Sequence, residues 1–333
     1  MRQLSYILNL SFLLVITILF SGCFNTRFLE QNEILFKKNK IDIETDIELE
    51  NKSELENELT GLSQLQPNSR FLGLFKTRLW FYNVTQGKKE TKFRLWVRNK
   101  IGEEPVFYDS TLVERSTSRM ETYLFNRGWF YAEVDEDTKI KRQKATVTYN
   151  VELKERYYLD TITFPPPEDV ITKLVNKKKD ETLLNRGDPF SVEIMKAERE
   201  RIADHLRNLG YYYFNKEYVY YDVDSGQAGN KVDLRLRIAP PDDSTQHETY
   251  FIRNVYVRTD FTIEKFREGV TLEYDTLQAD LDRLSNYYFI YRNGKLMFRP
   301  KILASAIYFN KDFLYSQENH RKTISQLANL GAF

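Results

Sequence analysis

The three histidines and the single cysteine are the residues in this 333-residue chain with the readiest chemistry. Histidine offers general base or metal-ligand chemistry, and His205, His247 and His320 stand too far apart for any two to share a metal-binding motif. His205 and His320 fall in expected helices beside charged neighbours, which reads as a solvated surface. The serines lack the strand-turn-helix setting of a nucleophile elbow. No glycine-rich loop follows a strand in a way that would cradle phosphate. Asn185-Arg-Gly187-Asp-Pro189 reads as a turn leading into a helix. The carboxylates form no pair that sequence alone places in a pocket. No catalytic residue, metal or cofactor is expected, so the chain does not read as an enzyme. With 49 basic residues against 48 acidic ones it has no overall cationic field for nucleic acid.

The cysteine is different, because its neighbours give it a task. Arg2 precedes the mostly apolar stretch Leu4–Phe20, and the small residues Ser21-Gly22 follow it, as in a secretory signal covering residues 1–22. A membrane-spanning helix is the rival, but Ser5, Asn9, Ser11 and Thr17 interrupt a run already short for a bilayer. Leu19-Phe-Ser-Gly-Cys23 resembles the lipobox of bacterial lipoproteins, which implies lipidation of Cys23 and a tether over residues 23–30. Each buried acyl methylene would contribute about 0.8 kcal/mol to anchoring. Phe24, where an aspartate would retain such a protein, implies transfer to the outer membrane. A lone cysteine excludes an internal disulfide.

A repeat organises the rest of the chain. Leu124-Phe-Asn-Arg-Gly128-Trp-Phe, Leu206-Arg-Asn-Leu-Gly210-Tyr-Tyr and Leu327-Ala-Asn-Leu-Gly331-Ala-Phe share one cadence. Phe107-Tyr-Asp109 and Pro189-Phe-Ser191 stand equally far before the first two glycines, and Asp109 and Ser191 are helix-capping types. Val192, Met195, Ile202, Leu206 and Leu209 form one apolar helical stripe, which a glycine in the left-handed conformation would close. Extended segments are expected at 129–140, 145–153, 211–223 and 232–238. Val147, Tyr149, Val151 and Leu153 share one face of their strand, opposite Thr146, Thr148, Asn150 and Glu152. Another strand, 157–164, follows, and Pro167 is expected in the first turn of a short helix through Val175. Segment 249–257 would begin the next unit.

This α+β order, strand-helix-helix-strand-strand, resembles the POTRA module of outer-membrane assembly proteins. Asn25–Leu29, Leu35–Asn39, Pro67–Phe75, Leu79–Asn83 and Trp96–Pro105 resemble the N-terminal region of TamL, the lipoprotein variant of the translocation and assembly module within the BamA/TamA superfamily. The implied organisation is a first module at 31–156 with an insertion, a second at 157–242 and an incomplete third at 247–333. In the third, Tyr315-Ser316 takes the aromatic and capping places, and the strand pair that should follow the helix is missing. Its sheet bonds are therefore expected to be unmade. Asn293-Gly294 is a hairpin signal, read as part of an insertion. No membrane β-barrel is expected in this chain.

The resemblance implies a periplasm-facing, lipid-anchored segment at the outer membrane, with a TamB-like periplasm-spanning protein and unfolded outer-membrane clients as partners. Recognition would use backbone pairing at a sheet edge. The strand after each glycine is the expected edge, with Trp129, Phe130, Tyr131, Tyr211, Tyr212 and Tyr213 supplying apolar contacts or covering the helices. Lys216 and Glu217 would interrupt that edge, and Lys177–Glu181 reads as a solvated loop. A free-standing POTRA adaptor lipoprotein and an exported enzyme or glycan binder are the alternatives.

Overall fold

The structure, a computed structural model, describes residues 28–49, 51–71, 76–86, 90–241, 246–258, 275–278, 286–291 and 298–330. The signal segment, Cys23, Asn293-Gly294 and Gly331 lie outside the described residues. The chain divides into two compact units at Tyr157/Tyr158. The first holds one repeat and the second holds two.

In the first repeat, β1 (Leu35–Thr45), β2 (Glu133–Lys141) and β3 (Lys144–Leu153) form a sheet of order β1-β3-β2. The central strand runs parallel to β1 and antiparallel to β2. Ala145, Val147, Tyr149, Val151 and Leu153 are all buried on one face of β3, as the alternation predicts. Arg142 and Gln143, both at positive φ, make the two-residue turn from β2 to β3 that matches strand twist. Helices α1 (Lys52–Leu62) and α4 (Ser110–Asn126) cover the buried face with Leu55, Leu59, Val113, Met120 and Leu124. Between them lie α2 (Thr77–Thr85) and α3 (Lys92–Trp96), the latter continuing as a π-helical turn, Val97–Ile101.

The second repeat uses the same plan with shorter connections. Its sheet, of order β4-β6-β5, comprises β4 (Tyr158–Thr163), β5 (Val219–Gln227) and β6 (Lys231–Ile238). Helices α5 (Val170–Lys177) and α6 (Val192–Asn208) cover Val219 and Leu236 with Ile171, Val175, Ile202 and Leu206. The first of these helices starts after Asp169, not at Pro167. Asp169 and Thr172 form a reciprocal capping box, a stronger start signal than a proline.

The third repeat keeps the order of the sheet. Strand β7 (Val255–Arg258) pairs in parallel with β9 (Tyr287–Tyr291), which pairs antiparallel with β8 (Asp275–Gln278). The resulting order, β7-β9-β8, is that of the other two sheets. Among the described residues, the strand pair of this repeat precedes two helices, α7 (Pro300–Ser305) and α8 (Gln317–Asn329). The expected unmade bonds beside β7 are thus made, by a strand pair upstream of α7 and α8. Tyr287 and Phe289 turn the buried face of β9 onto Leu303, Ala304 and Ile307.

Two further equivalences tie the repeats together. A residue of each first extended segment bridges the residue two before the helix cap: Leu35 with Phe107, Tyr158 with Pro189 and Phe251 with Leu314. The caps are Asp109, Ser191 and Ser316, each accepting a backbone N–H from the first turn. Seven residues beyond each cap stands a buried polar side chain, Ser116, Glu198 or Thr323. Each accepts a backbone N–H from the segment leading to that helix: Gln64 at 2.9 Å, Leu183 at 3.0 Å and Tyr308 at 3.0 Å. A buried amide without such a partner costs free energy, so one polar residue on an otherwise apolar stripe is retained.

Candidate functional site: sheet edges and the glycine turn

The glycine cadence is a helix-closing turn built the same way twice. Gly128 and Gly210 adopt φ 92° and 99°, where a side chain is strained. The next residue folds back: Trp129 N–H donates to the Leu124 carbonyl and Tyr211 N–H to that of Leu206, while the glycine N–H groups bond Phe125 and Arg207. This is the Schellman arrangement, completed by an apolar contact over the last turn. Trp129 and Tyr211 therefore enter the cores of their repeats. The Arg156 guanidinium lies 4.3 Å from the Trp129 ring centroid.

Each glycine carbonyl then receives the chain leaving the repeat. Tyr157 N–H donates to Gly128 and Tyr250 N–H to Gly210, both at 2.8 Å. Aromatic rings collect around these crossings. Phe130 packs on Phe125 and Tyr157, and Tyr131 lies 6.1 Å from Tyr157. Tyr212 meets Tyr315 edge-on at 4.7 Å, and Tyr213 meets Tyr250 at 5.0 Å.

The six aromatic residues named from sequence thus sit in the turn, not on the strand. β2 begins only at Glu133 and β5 only at Val219. Their β propensity misleads because the helix closure fixes the backbone of the first two residues after the glycine. In the second repeat Asn215 then caps a short 3-10 turn, Lys216–Tyr218. Lys216 and Glu217 lie in that turn and pair with Glu200 and Arg199, so they do not interrupt the strand.

The strands that follow are nevertheless the outer strands of their sheets. On β2 the exposed residues include Glu133, Asp135, Glu136 and Asp137, a charged edge that resists casual pairing. On β5, Tyr220 and Val223 are 45% and 46% exposed. Ala239 N–H donates to Tyr218 at 2.8 Å, which fixes the alternation of the antiparallel ladder. Tyr220 and Asp222 consequently bond toward β6, and the backbone groups of Tyr221 and Val223 face the open side. Burial pushes the Tyr221 phenol above its ordinary value, since its ring lies toward the helices.

The histidines are packed rather than freely solvated. His205 is half-buried, and burial, then Lys178 and Arg201, lower its imidazole below the usual value. His247 lies against Phe214 and Tyr218, with a ring nitrogen 3.0 Å from the Ala239 carbonyl. His320 sits 3.0 Å from the Tyr315 hydroxyl. Among the described residues no three His, Cys, Asp or Glu side chains converge as a metal site. Lys179–Glu181 forms a 3-10 turn, and Lys178 pairs with Glu181 across it.

This geometry can be set beside known proteins. The POTRA family, described as a surface antigen variable number repeat, matches residues 39–156. The chain carries tandem POTRA-like repeats. POTRA3-5 of BamA from Haemophilus influenzae aligns with 92% of this chain and 89% of its own, at 13% identity and a TM-score of 0.43. The N-terminal domain of Omp85 from Thermosynechococcus elongatus aligns at 12% identity, over 91% of this chain and 88% of its own, with a TM-score of 0.30. POTRA1-3 of the periplasmic domain of Omp85 from Anabaena aligns at 10% identity, over 91% and 87%, with a TM-score of 0.31. No curated protein sequence matches the chain. Among the described residues no helix is long and apolar enough to cross a membrane.

Proposed function

We propose that these repeats form the periplasm-facing segment of an outer-membrane protein assembly or translocation factor, and that they hold extended segments by adding them to a sheet edge. The observation that carries this reading is β5, an outer strand with outward backbone groups at Tyr221 and Val223 and exposed side chains at Tyr220 and Val223. Main-chain pairing suits a factor that handles many sequences, because it asks little of the client's side chains. The partners in this reading are unfolded outer-membrane clients and a TamB-like periplasm-spanning protein. Lipidated Cys23 would hold the chain at the outer membrane.

A proline at Val223 removes one outward N–H and leaves the β5–β6 bonds in place. Val223→Pro is expected to weaken capture of a fluorescent peptide copied from a barrel strand by about ten-fold, the equivalent of one lost hydrogen bond. Unchanged affinity in a folded variant would refute pairing at β5. Asp222→Pro, which breaks the ladder itself, marks the signature of simple unfolding. For the anchor, Cys23→Ser should leave the precursor unprocessed, and normal processing would remove lipidation from the account.

A further inference from the structure

The first repeat carries an excursion that edge pairing does not use. Asn68, almost wholly buried, closes its neck: its amide donates to the Glu104 carbonyl at 2.6 Å and accepts from Val106 N–H at 3.2 Å. Glu103 adds hydrogen bonds to Asn68 and Ser69. Within the excursion Leu79, Asn83 and Val97 are buried, so α2 and the π turn have an inner side. Their outer side is strongly apolar. Phe93 is 71% exposed and Trp96 53%, stacked on each other one helical turn apart, and Trp80 and Phe81 are exposed on α2.

Charge separates this face from any ordinary apolar patch. Among the described residues, seven Lys or Arg from Arg70 to Lys100 stand against one acidic residue, Glu90, in a chain whose net charge is +1. The remainder of the protein is therefore net negative. Glu90 is itself engaged by Arg98 at 2.9 Å. Lys76 registers the imbalance: burial, then the nearby charges of Arg70 and Lys144, push its amine down to about 8. A surface of this kind gains from a polyanion outside the molecule.

We propose that α2, α3 and the π turn dock the first repeat on an anionic lipid surface. Exposed Trp and Phe rings beside Lys and Arg are the composition of an interfacial element, rings at headgroup depth and cations among the phosphates. The helices, nine and five residues long, suit lying in that layer and are too short to span it. This inference stands on the excursion alone and is independent of peptide capture at β5.

The test uses the full chain and its own tryptophans. Of the three, Trp129 is buried in the core, so Trp80 and Trp96 report on the patch. Brominated lipids in vesicles of phosphatidylcholine alone, or containing phosphatidylglycerol, quench rings that reach headgroup depth. The apolar segment Leu4–Phe20 can bring the chain to both kinds of vesicle, so local quenching is read rather than sedimentation. Strong quenching is expected only with phosphatidylglycerol, and high salt should reverse it. Lys92→Glu with Arg94→Glu should raise the phosphatidylglycerol needed by roughly thirty-fold or more. Phe93→Ser with Trp96→Ser should leave the Trp80 emission unshifted by vesicles. Equal quenching on both vesicles, no response to charge reversal, or the same emission shift with a soluble acidic polymer would overturn the proposal.

Discussion

The second and third repeats secure the segment before their long helix at the same place with different chemistry. In the second, Leu183 N–H reaches the Glu198 carboxylate, which has no exposed side-chain surface and is held by Arg201 at 2.7 and 2.8 Å. In the third, Tyr308 N–H reaches the Thr323 hydroxyl, whose own proton goes to the Asn319 carbonyl. The fold asks for an acceptor at that position and is indifferent to its charge. A charge there makes the site depend on a second residue, because an ion taken out of water must keep its counter-ion.

That dependence gives the largest expected effect. Glu198→Ala strands the Leu183 amide and leaves Arg201 unpaired beside the core, so a loss of about 3–5 kcal/mol is expected. Thr323→Val strands only the Tyr308 amide and should cost about 1–3 kcal/mol. Urea unfolding followed by probes in each repeat measures both. Equal losses at the two sites would show that the ion pair adds nothing to the hydrogen bond.

The recurrence of the acceptor was not legible in the sequence, and the reason is physical. Ser116, Glu198 and Thr323 differ in size and charge, and on a helix such residues usually mark the wet side. The caps and glycines were legible because a few residue types do those tasks well. The strand face of β3 followed from alternation alone. The aromatic turns did not, since Trp129 and Tyr211 carry a strand's composition while serving a helix end. Nor did the origin of β8 and β9, because local pattern says that a strand exists and not which open edge it joins.

A comparison of two glycines comes next in size. Gly187 and Gly210 both adopt positive φ, 89° and 99°. A side-chain carbon at Gly187 would meet nothing within 4 Å, whereas at Gly210 it would lie 2.8 Å from Leu314. Gly187→Ala should therefore cost only the backbone strain, about 1–2 kcal/mol. Gly210→Ala adds overpacking against the third repeat, for about 2–4 kcal/mol in all. Trimming the obstacle by Leu314→Ala in the Gly210→Ala background should recover part of the loss, and additive losses in that double-mutant cycle would refute the contact as the cause.

The smallest effect concerns how α8 is held to α6. Asn208 accepts the Ser316 hydroxyl at 3.2 Å and the Glu318 N–H at 2.8 Å, and Arg321 forms two bonds to Asp204 at 2.7 and 3.0 Å. Burial would raise the Asp204 carboxyl, but hydrogen bonds from Arg321 and Arg207 outweigh it and hold the group below its ordinary value. A carboxyl depressed in the folded state stabilises it above the unfolded value and loses that contribution as pH falls through the folded one. The pair is partly solvated, so Asp204→Asn should cost only about 0.5–1 kcal/mol at neutral pH. Hydrogen exchange in α8 should accelerate relative to α6 as pH drops below about 4, after correction for intrinsic exchange. In Asp204→Asn that acid-induced difference should vanish, and its persistence would assign the weakening to another carboxylate.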